Sequence, residues 1–164
     1  MIRQDYLLRE IERIVEFAIR AMGLKEEEPP APDFARFIEE HCNDLTGLDY
    51  QTLLASPSSQ LVSLLYHPGT LEIGRLIASG TLLCEAADAE RLSGNESRSR
   101  ELFTRGAEIL AFTAAHESGE AAEILATHLR RLHPRIPQFG FPPEAAQRLE
   151  ALCTPRVSPG QQPS

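Results

Sequence analysis

Residues 70–94 read TLEIGRLIASGTLLCEAADAERLSG. Their apolar members recur every three or four positions, which is the spacing of one face of an α-helix. These members are Leu71, Ile73, Leu76, Ile77, Leu83, Ala86 and Ala87. Gly94 marks the end of the pattern, because glycine adopts the left-handed conformation that closes a helix at little cost. The stretch therefore predicts one long helical arm.

The residues that follow predict a second helical arm. Asn95 can cap its start, and the apolar positions after it are Leu102, Phe103, Ile109, Leu110 and Phe112. Glycines within the pattern, Gly80 and Gly106 among them, cost about 1 kcal/mol each relative to alanine. That cost is tolerated best where a neighbouring helix must approach closely. Together the two arms predict an antiparallel hairpin over residues 71–113.

The N-terminal segment, about residues 3–22, reads as an amphipathic helix. Its apolar stripe comprises Leu7, Ile11, Ile14, Val15, Ala18 and Met22. Tyr6 and Phe17 lie off this stripe, so we expect the helix to contact neighbours on two sides. On the polar face, Asp5 and Arg9, and likewise Glu16 and Arg20, are spaced for i,i+4 ion pairs.

Gly23 is expected to end this helix, and residues 24–32 form a charged, proline-rich linker. Asp33 is expected to cap the next helix, whose apolar positions are Phe34, Phe37, Ile38, Cys42 and Leu45. After a break at Thr46-Gly47, a short helical piece carries Tyr50, Leu53 and Leu54, and Pro57 begins another.

After the hairpin, the pattern predicts a helix over about 118–132, a proline-rich strap over 134–143 and a short last helix. Residues 154–164 have the composition of a disordered tail. No stretch alternates with the period of two that a half-buried strand requires. We therefore expect an all-α protein with a single domain over 1–153, a compact bundle of about six helices.

The charge balance excludes several classes of partner. The chain has 164 residues and a net charge of −8, and residues 1–50 hold 12 acidic against 6 basic residues. An acidic surface disfavours nucleic acid and anionic lipid, which both need clustered cations. No apolar run is long enough to span a bilayer, and the first residues lack the apolar core of a signal peptide. We expect a cytoplasmic protein that binds neither nucleic acid nor membrane.

The hairpin resembles a tetratricopeptide-type repeat. In the first helix, Leu83 stands at the large apolar position of the repeat, and Ala86 and Ala87 stand at its small positions. Gly94 stands at the turn. In the second helix, Ser99 and Gly106 stand at small positions and Phe103 stands at the aromatic position. Glu90 stands where an aromatic residue is usual, and Ala111 stands where the terminal proline is usual. Since no second repeat follows at a period of 34, the resemblance implies one repeat-like hairpin inside a compact domain.

The opening MIRQDYLLREIE, residues 1–12, resembles a family of uncharacterised bacterial proteins. Those proteins begin with a Gln-Asp-Tyr-x-x-Arg-x-Ile-Glu-like helix, followed by a leucine-rich region and a repeat-like hairpin. The order of parts agrees over about residues 1–130, including Leu45-Thr46-Gly47-Leu48-Asp49 after the second helix. The resemblance implies a helical fold and a bacterial, cytoplasmic setting, and it brings no catalytic residue with it.

The basic cluster near the C-terminus is the candidate contact for an anion or a partner. Its members are His128, Arg130, Arg131, His133 and Arg135. Cations also belong in the last turn of a helix, where they offset unpaired carbonyls, so helix capping is the alternative for this cluster.

Two other motifs point to chemistry more weakly. His116-Glu117-x-x-Glu120 differs from a zinc-protease motif, which needs a second histidine where Glu120 stands. His41 and Cys42 are adjacent, and adjacent helical residues point about 100° apart, which does not suit proton transfer between them. We therefore expect no catalytic residue, no metal and no cofactor, and we expect buried, inert thiols at Cys42 and Cys84.

Two functional hypotheses follow. The first is a non-catalytic domain for protein–protein interaction or self-association, which predicts an exposed apolar face, with the helix at 3–22 as a candidate. The second is a small ligand-binding or metal-dependent enzyme that uses residues 116–135.

Overall fold

The structure, a computed structural model, describes residues 2–27, 33–67 and 70–116, together with positions 123, 126, 127, 130 and 147. Within residues 2–116 it has six helices and one pair of short strands. The elements are α1 (Ile2–Glu26), α2 (Phe34–Thr46), α3 (Tyr50–Ala55), α4 (Ser58–Leu64), β1 (Tyr66–His67), β2 (Thr70–Leu71), α5 (Ile73–Leu92) and α6 (Glu96–His116). The all-α class is confirmed. The predicted helix at 118–132 lies mostly outside the described residues, and the strap at 134–143 and the tail at 154–164 lie wholly outside them.

The strand pair was not predicted. β1 and β2 are antiparallel, with Tyr66 opposite Leu71 and His67 opposite Thr70. Strands of two residues are too short to show an alternating pattern in the sequence. The pair shortens the predicted first arm, so that α5 begins at Ile73.

Helix α5 lies at the centre of the bundle. From Ile73 to Asp88 every residue except Arg75 is buried. A helix that is buried all round must be enclosed by other elements, and α5 packs against α1, α2, α3 and α6. The position of every neighbouring helix is therefore defined by its contact with α5.

The predicted hairpin is confirmed by the packing of α5 against α6. The two helices are antiparallel, and Gly94 forms the turn between them with a φ of 87°. Near the turn, the hydroxyl of Ser99 donates to the carbonyl of Ala87 at 2.6 Å. Farther along, Gly80 and Gly106 meet so closely that a Cβ on Gly106 would lie 2.7 Å from the Gly80 carbonyl oxygen. The two glycines are required by this backbone contact.

Helices α1 and α2 form the layer on the other side of α5. The rings of Phe17 and Phe37 stack with centroids 5.2 Å apart, and Arg13 donates to Asp44 at 2.6 Å. Helix α1 contacts both α2 and α5, which confirms the expected two-sided contact. Phe17, although off the predicted stripe, is buried, and Met22, which was assigned to that stripe, is 45% exposed.

Arginines of α6 hold the end of α3. Arg98 and Arg105 both donate to the carbonyl of Leu54, and Arg105 also donates to that of Ser56. The last carbonyls of a helix have no partner within it, so the two guanidinium groups supply the missing donors. Burial among these groups lowers the pKa of Arg105.

The structure corrects three local predictions. Helix α1 does not end at Gly23 but continues to Glu26, so the first residues of the predicted 24–32 linker are helical, and residues 28–32 lie outside the described residues. Asp33 occupies the capping position of α2 but makes no capping hydrogen bond, because its carboxylate accepts from Arg36 at 2.7 Å. Pro57 precedes α4 rather than being its first residue.

Substituting Gly106→Ala should destabilise the protein by up to about 2 kcal/mol. Forcing apart two packed backbones costs about 1–3 kcal/mol, and the gain in helix propensity of about 1 kcal/mol offsets part of that cost. Gly23→Ala is the matched control, because nothing lies within 4 Å of a Cβ at this helical position. This variant should be up to about 1 kcal/mol more stable. Urea unfolding of the three proteins measures both changes, and equal stability of the two variants would contradict the close contact.

Candidate functional site

The predicted basic cluster is mostly outside the described residues. Arg130 is described, and it is helical and exposed. His128, Arg131, His133 and Arg135 lie outside the described residues, as do residues 117–120 of the zinc-like motif. His116 is the last residue of α6. The anion-site and enzyme hypotheses for residues 116–135 therefore stay predictions.

The thiol of Cys42 is buried and held by hydrogen bonds. Its sulfur lies 3.6 Å from the Thr46 hydroxyl and 3.5 Å from the Leu48 carbonyl, and burial raises its pKa. His41 is engaged elsewhere, with Nδ1 2.8 Å from the Phe37 carbonyl. Cys84 is also buried. The prediction of buried thiols is confirmed at both positions, and His41 does not activate Cys42.

Among the described residues, no group of three or more His, Cys, Asp or Glu side chains is arranged to hold a metal ion. In the same part of the chain, no helix is both long and apolar enough to cross a bilayer.

An open groove of about 520 Å³ lies between the end of α1 and the start of α2. Arg20 stands over the ring of Phe37 there, 4.9 Å from its centroid. The groove is lined by residues of both charges, Arg20 and Arg36 against Glu27, Asp33 and Glu40, so it selects neither anions nor cations.

A buried ion cluster joins the last turn of α1 to α5. The Lys25 ammonium lies 2.6 Å from Glu85 and 2.8 Å from Asp88, and both carboxylates are less than one-tenth exposed. Arg91 approaches Asp88 at 3.9 Å. The cluster explains why α1 continues past Gly23: the ion pairs stabilise the additional turn. Sequence reasoning missed it because the partners are 60 and 63 residues apart.

The exposed apolar side chains are concentrated on α1. Five large apolar residues of the described chain are exposed, and three of them, Tyr6, Ile19 and Met22, belong to α1. Ile19 and Met22 are one helical turn apart and 55% and 45% exposed. Isolated exposed apolar residues are common on protein surfaces, and interaction sites are enriched in groups of neighbouring ones.

The half-buried residues Leu8 and Val15 extend this exposed pair along α1. With spacings of seven, four and three, Leu8, Val15, Ile19 and Met22 form one row on the helix surface. We call these four residues the α1 stripe. It lies beside the face of α1 that packs on α5 and α2, and its two ends are 14 positions apart, or about 21 Å at a rise of 1.5 Å per residue.

Carboxylates follow the α1 stripe along its length. Glu12 lies between Leu8 and Val15, four residues after the first and three before the second. Glu16 comes three residues before Ile19, and Glu26 comes four residues after Met22. All three are exposed, and we call them the acidic row. None of them forms an ion pair with a described residue, and the predicted pair of Glu16 with Arg20 is not formed. Arg20 instead lies against Phe37, and Arg13 pairs with Asp44 of α2.

Comparisons with known proteins found no match to a protein-family model, to a curated protein sequence or to a solved structure. The resemblances to the bacterial family and to a tetratricopeptide-type repeat therefore stay predictions. Among the described residues, the α1 stripe is the clearest candidate for a functional surface.

Lys25→Met should destabilise the protein by about 2–3 kcal/mol, because it leaves two buried carboxylates without their closest cation. Arg36→Met is the control: the ion pairs of Arg36 with Asp33 and Glu40 are exposed, and such pairs contribute about 0–1 kcal/mol. Guanidinium unfolding compares the two. If Lys25→Met is as stable as Arg36→Met, the cluster does not hold the end of α1.

In a Cys153→Ser variant, we expect no thiol of the native protein to react with Ellman's reagent at pH 8. Cys42 and Cys84 are buried, and burial raises the pKa of Cys42, which favours the unreactive protonated thiol. Both thiols should react once guanidinium unfolds the chain. Rapid labelling of one thiol in the native protein would contradict the inert role of the cysteines.

Proposed function

We propose that the chain is a non-catalytic helical domain that binds another protein chain through the α1 stripe. The observation that carries the proposal is the exposure of Ile19 and Met22 beside the partly buried Leu8 and Val15. Exposed apolar side chains that share one helix face are stabilised when a partner covers them.

The rest of α1 supports the proposal because it makes the stripe rigid. Ile11, Ile14 and Phe17 are buried against the bundle, and Lys25 holds the last turn. A surface that is ordered before binding avoids much of the entropy cost of association. The α1 stripe therefore suits a binding surface better than a segment that must fold on contact.

The chemistry of the described residues offers less to an enzyme. The Cys42 thiol contacts Thr46 and Leu48 while His41 contacts the Phe37 carbonyl, and the groove beside Phe37 is open and of mixed charge. The hairpin of α5 and α6 is compatible with an interaction domain, since its small residues serve the packing of α5 on α6. The proposed partner is either a different protein or a second copy of this chain, which are the two possibilities that the sequence predicts.

A photoreactive amino acid at position 22 tests the proposal in cells that express the chain. We expect a discrete crosslinked adduct, and we expect Ile19→Ser in the same chain to abolish it, because both side chains belong to the binding surface. The same group at position 92 is the control, since Leu92 is similarly exposed, at 41%, but lies on α5. Light scattering of the purified chain adds the solution mass, with 18.2 kDa for a monomer.

The proposal is contradicted if position 92 gives the same adducts as position 22. It is also contradicted if the chain is a strict monomer and position 22 gives no adduct. Ile19→Ser is at an exposed position, so it should leave the unfolding transition unchanged, and this separates loss of binding from loss of structure.

A further inference from the structure

We propose that the partner of the α1 stripe is a cationic amphipathic helix of another protein, whose apolar side chains cover Val15, Ile19 and Met22 and whose Lys or Arg side chains face the acidic row. This inference rests on the proposed function and adds the chemistry of the partner. It comes from the juxtaposition, on one helix, of exposed apolar side chains and acidic side chains that make no ion pair with a described residue.

The acidic row is available for a partner's cations. Glu12, Glu16 and Glu26 are exposed, and they make no ion pair within the described chain. Two arginines of the same helix are directed to α2. Arg13 pairs with Asp44, and Arg20 lies against the ring of Phe37. Charges at the rim of an interface select the partner and speed its association more than they add affinity. The exposed Arg9 lies three residues before Glu12, but the three carboxylates outnumber it beside the stripe, so the row favours a cationic partner.

The α1 stripe has the dimensions of a helix-binding surface. Its length of about 21 Å corresponds to four turns of a partner helix. Residues at spacings of seven, four and three on α1 pack against a partner helix whose own apolar residues repeat every three or four positions. The partner's flanking positions then lie above Glu12 and Glu16, which are the i−3 neighbours of Val15 and Ile19.

A second copy of the chain matches this charge pattern poorly. When two identical helices pair antiparallel, each flank faces the same flank of the other copy, as in antiparallel coiled coils. Glu12 and Glu16 of one copy would face the same carboxylates of the other, and each chain already carries a net charge of −8. Like charges placed opposite each other oppose association.

Two synthetic 18-residue helical peptides provide the test. They share one leucine row at helical spacing, and they differ in the flanking positions, which are lysine in one peptide and glutamate in the other. Fluorescence anisotropy with the full chain measures affinity at low and high salt, and NMR of the isotope-labelled chain locates the contact. We expect the lysine peptide to bind at least tenfold more tightly than the glutamate peptide at low salt, with shifts concentrated on α1.

Charge variants test whether the preference for the lysine peptide comes from the acidic row or from the net negative charge of the whole chain. In Glu12→Lys/Glu16→Lys, we expect the preference for the lysine peptide to fall below twofold or to reverse. The matched control is Glu39→Lys/Glu40→Lys, which makes the same change of net charge at exposed positions of α2 and should leave a clear preference for the lysine peptide. Ile19→Ser/Met22→Ser should abolish binding of both peptides.

Equal binding of the two peptides, or an equal effect of the two charge variants, would overturn the inference. It is also overturned if neither peptide binds and the chain is a dimer that Ile19→Ser/Met22→Ser dissociates. In that case the proposed function stands, with a second copy as the partner. If neither peptide binds and position 22 gives no crosslink, both the inference and the proposed function fail.

Discussion

The burial of α5 on all sides is the constraint on which the rest of the structure depends. Fifteen of the sixteen residues from Ile73 to Asp88 are buried, so helices must enclose them. Glycine, alanine and serine on α5 reduce its diameter where neighbours approach, and Gly80 allows backbone contact with α6. The opposite side is covered by α1 and α2. A thin, apolar central helix thus determines a bundle of helices around it.

Helix α1 connects this packing to the proposed function. One face is buried in the bundle, and the neighbouring row of apolar residues is left partly exposed, most of all at Ile19 and Met22. A helix of this kind needs its ends fixed, since a frayed last turn would displace Met22 and Glu26. The cluster of Lys25 with Glu85 and Asp88 fixes that end. Stability and recognition are therefore coupled at the end of α1.

Local patterns in the sequence predict much of the bundle. The hairpin follows from the apolar spacing and from Gly94, and the burial of Cys42 follows from its place in the apolar pattern of α2. These features depend on residues within a few turns of one another, which a single sequence displays directly.

Features that depend on distant residues could not be predicted in this way. The continuation of α1 past Gly23 depends on carboxylates more than 60 residues away, and the end of α3 depends on arginines of α6. The orientation of α1 is a further example. The spacing of its apolar residues is compatible with either Phe17 or Met22 in the core, and contact with Phe37 selects Phe17. The exposed stripe is the result of that selection, so the sequence indicated the helix but not which apolar residues it leaves in water.

The contact of α1 with α5 also has a consequence for synthesis on the ribosome. Lys25 is made 63 residues before Asp88, and at about 5–20 residues per second this interval lasts about 3–13 s. During that time α1 has no α5 to pack on, and both its core-facing residues and its stripe are exposed. The nascent chain therefore leaves more apolar surface of α1 uncovered than the finished bundle does.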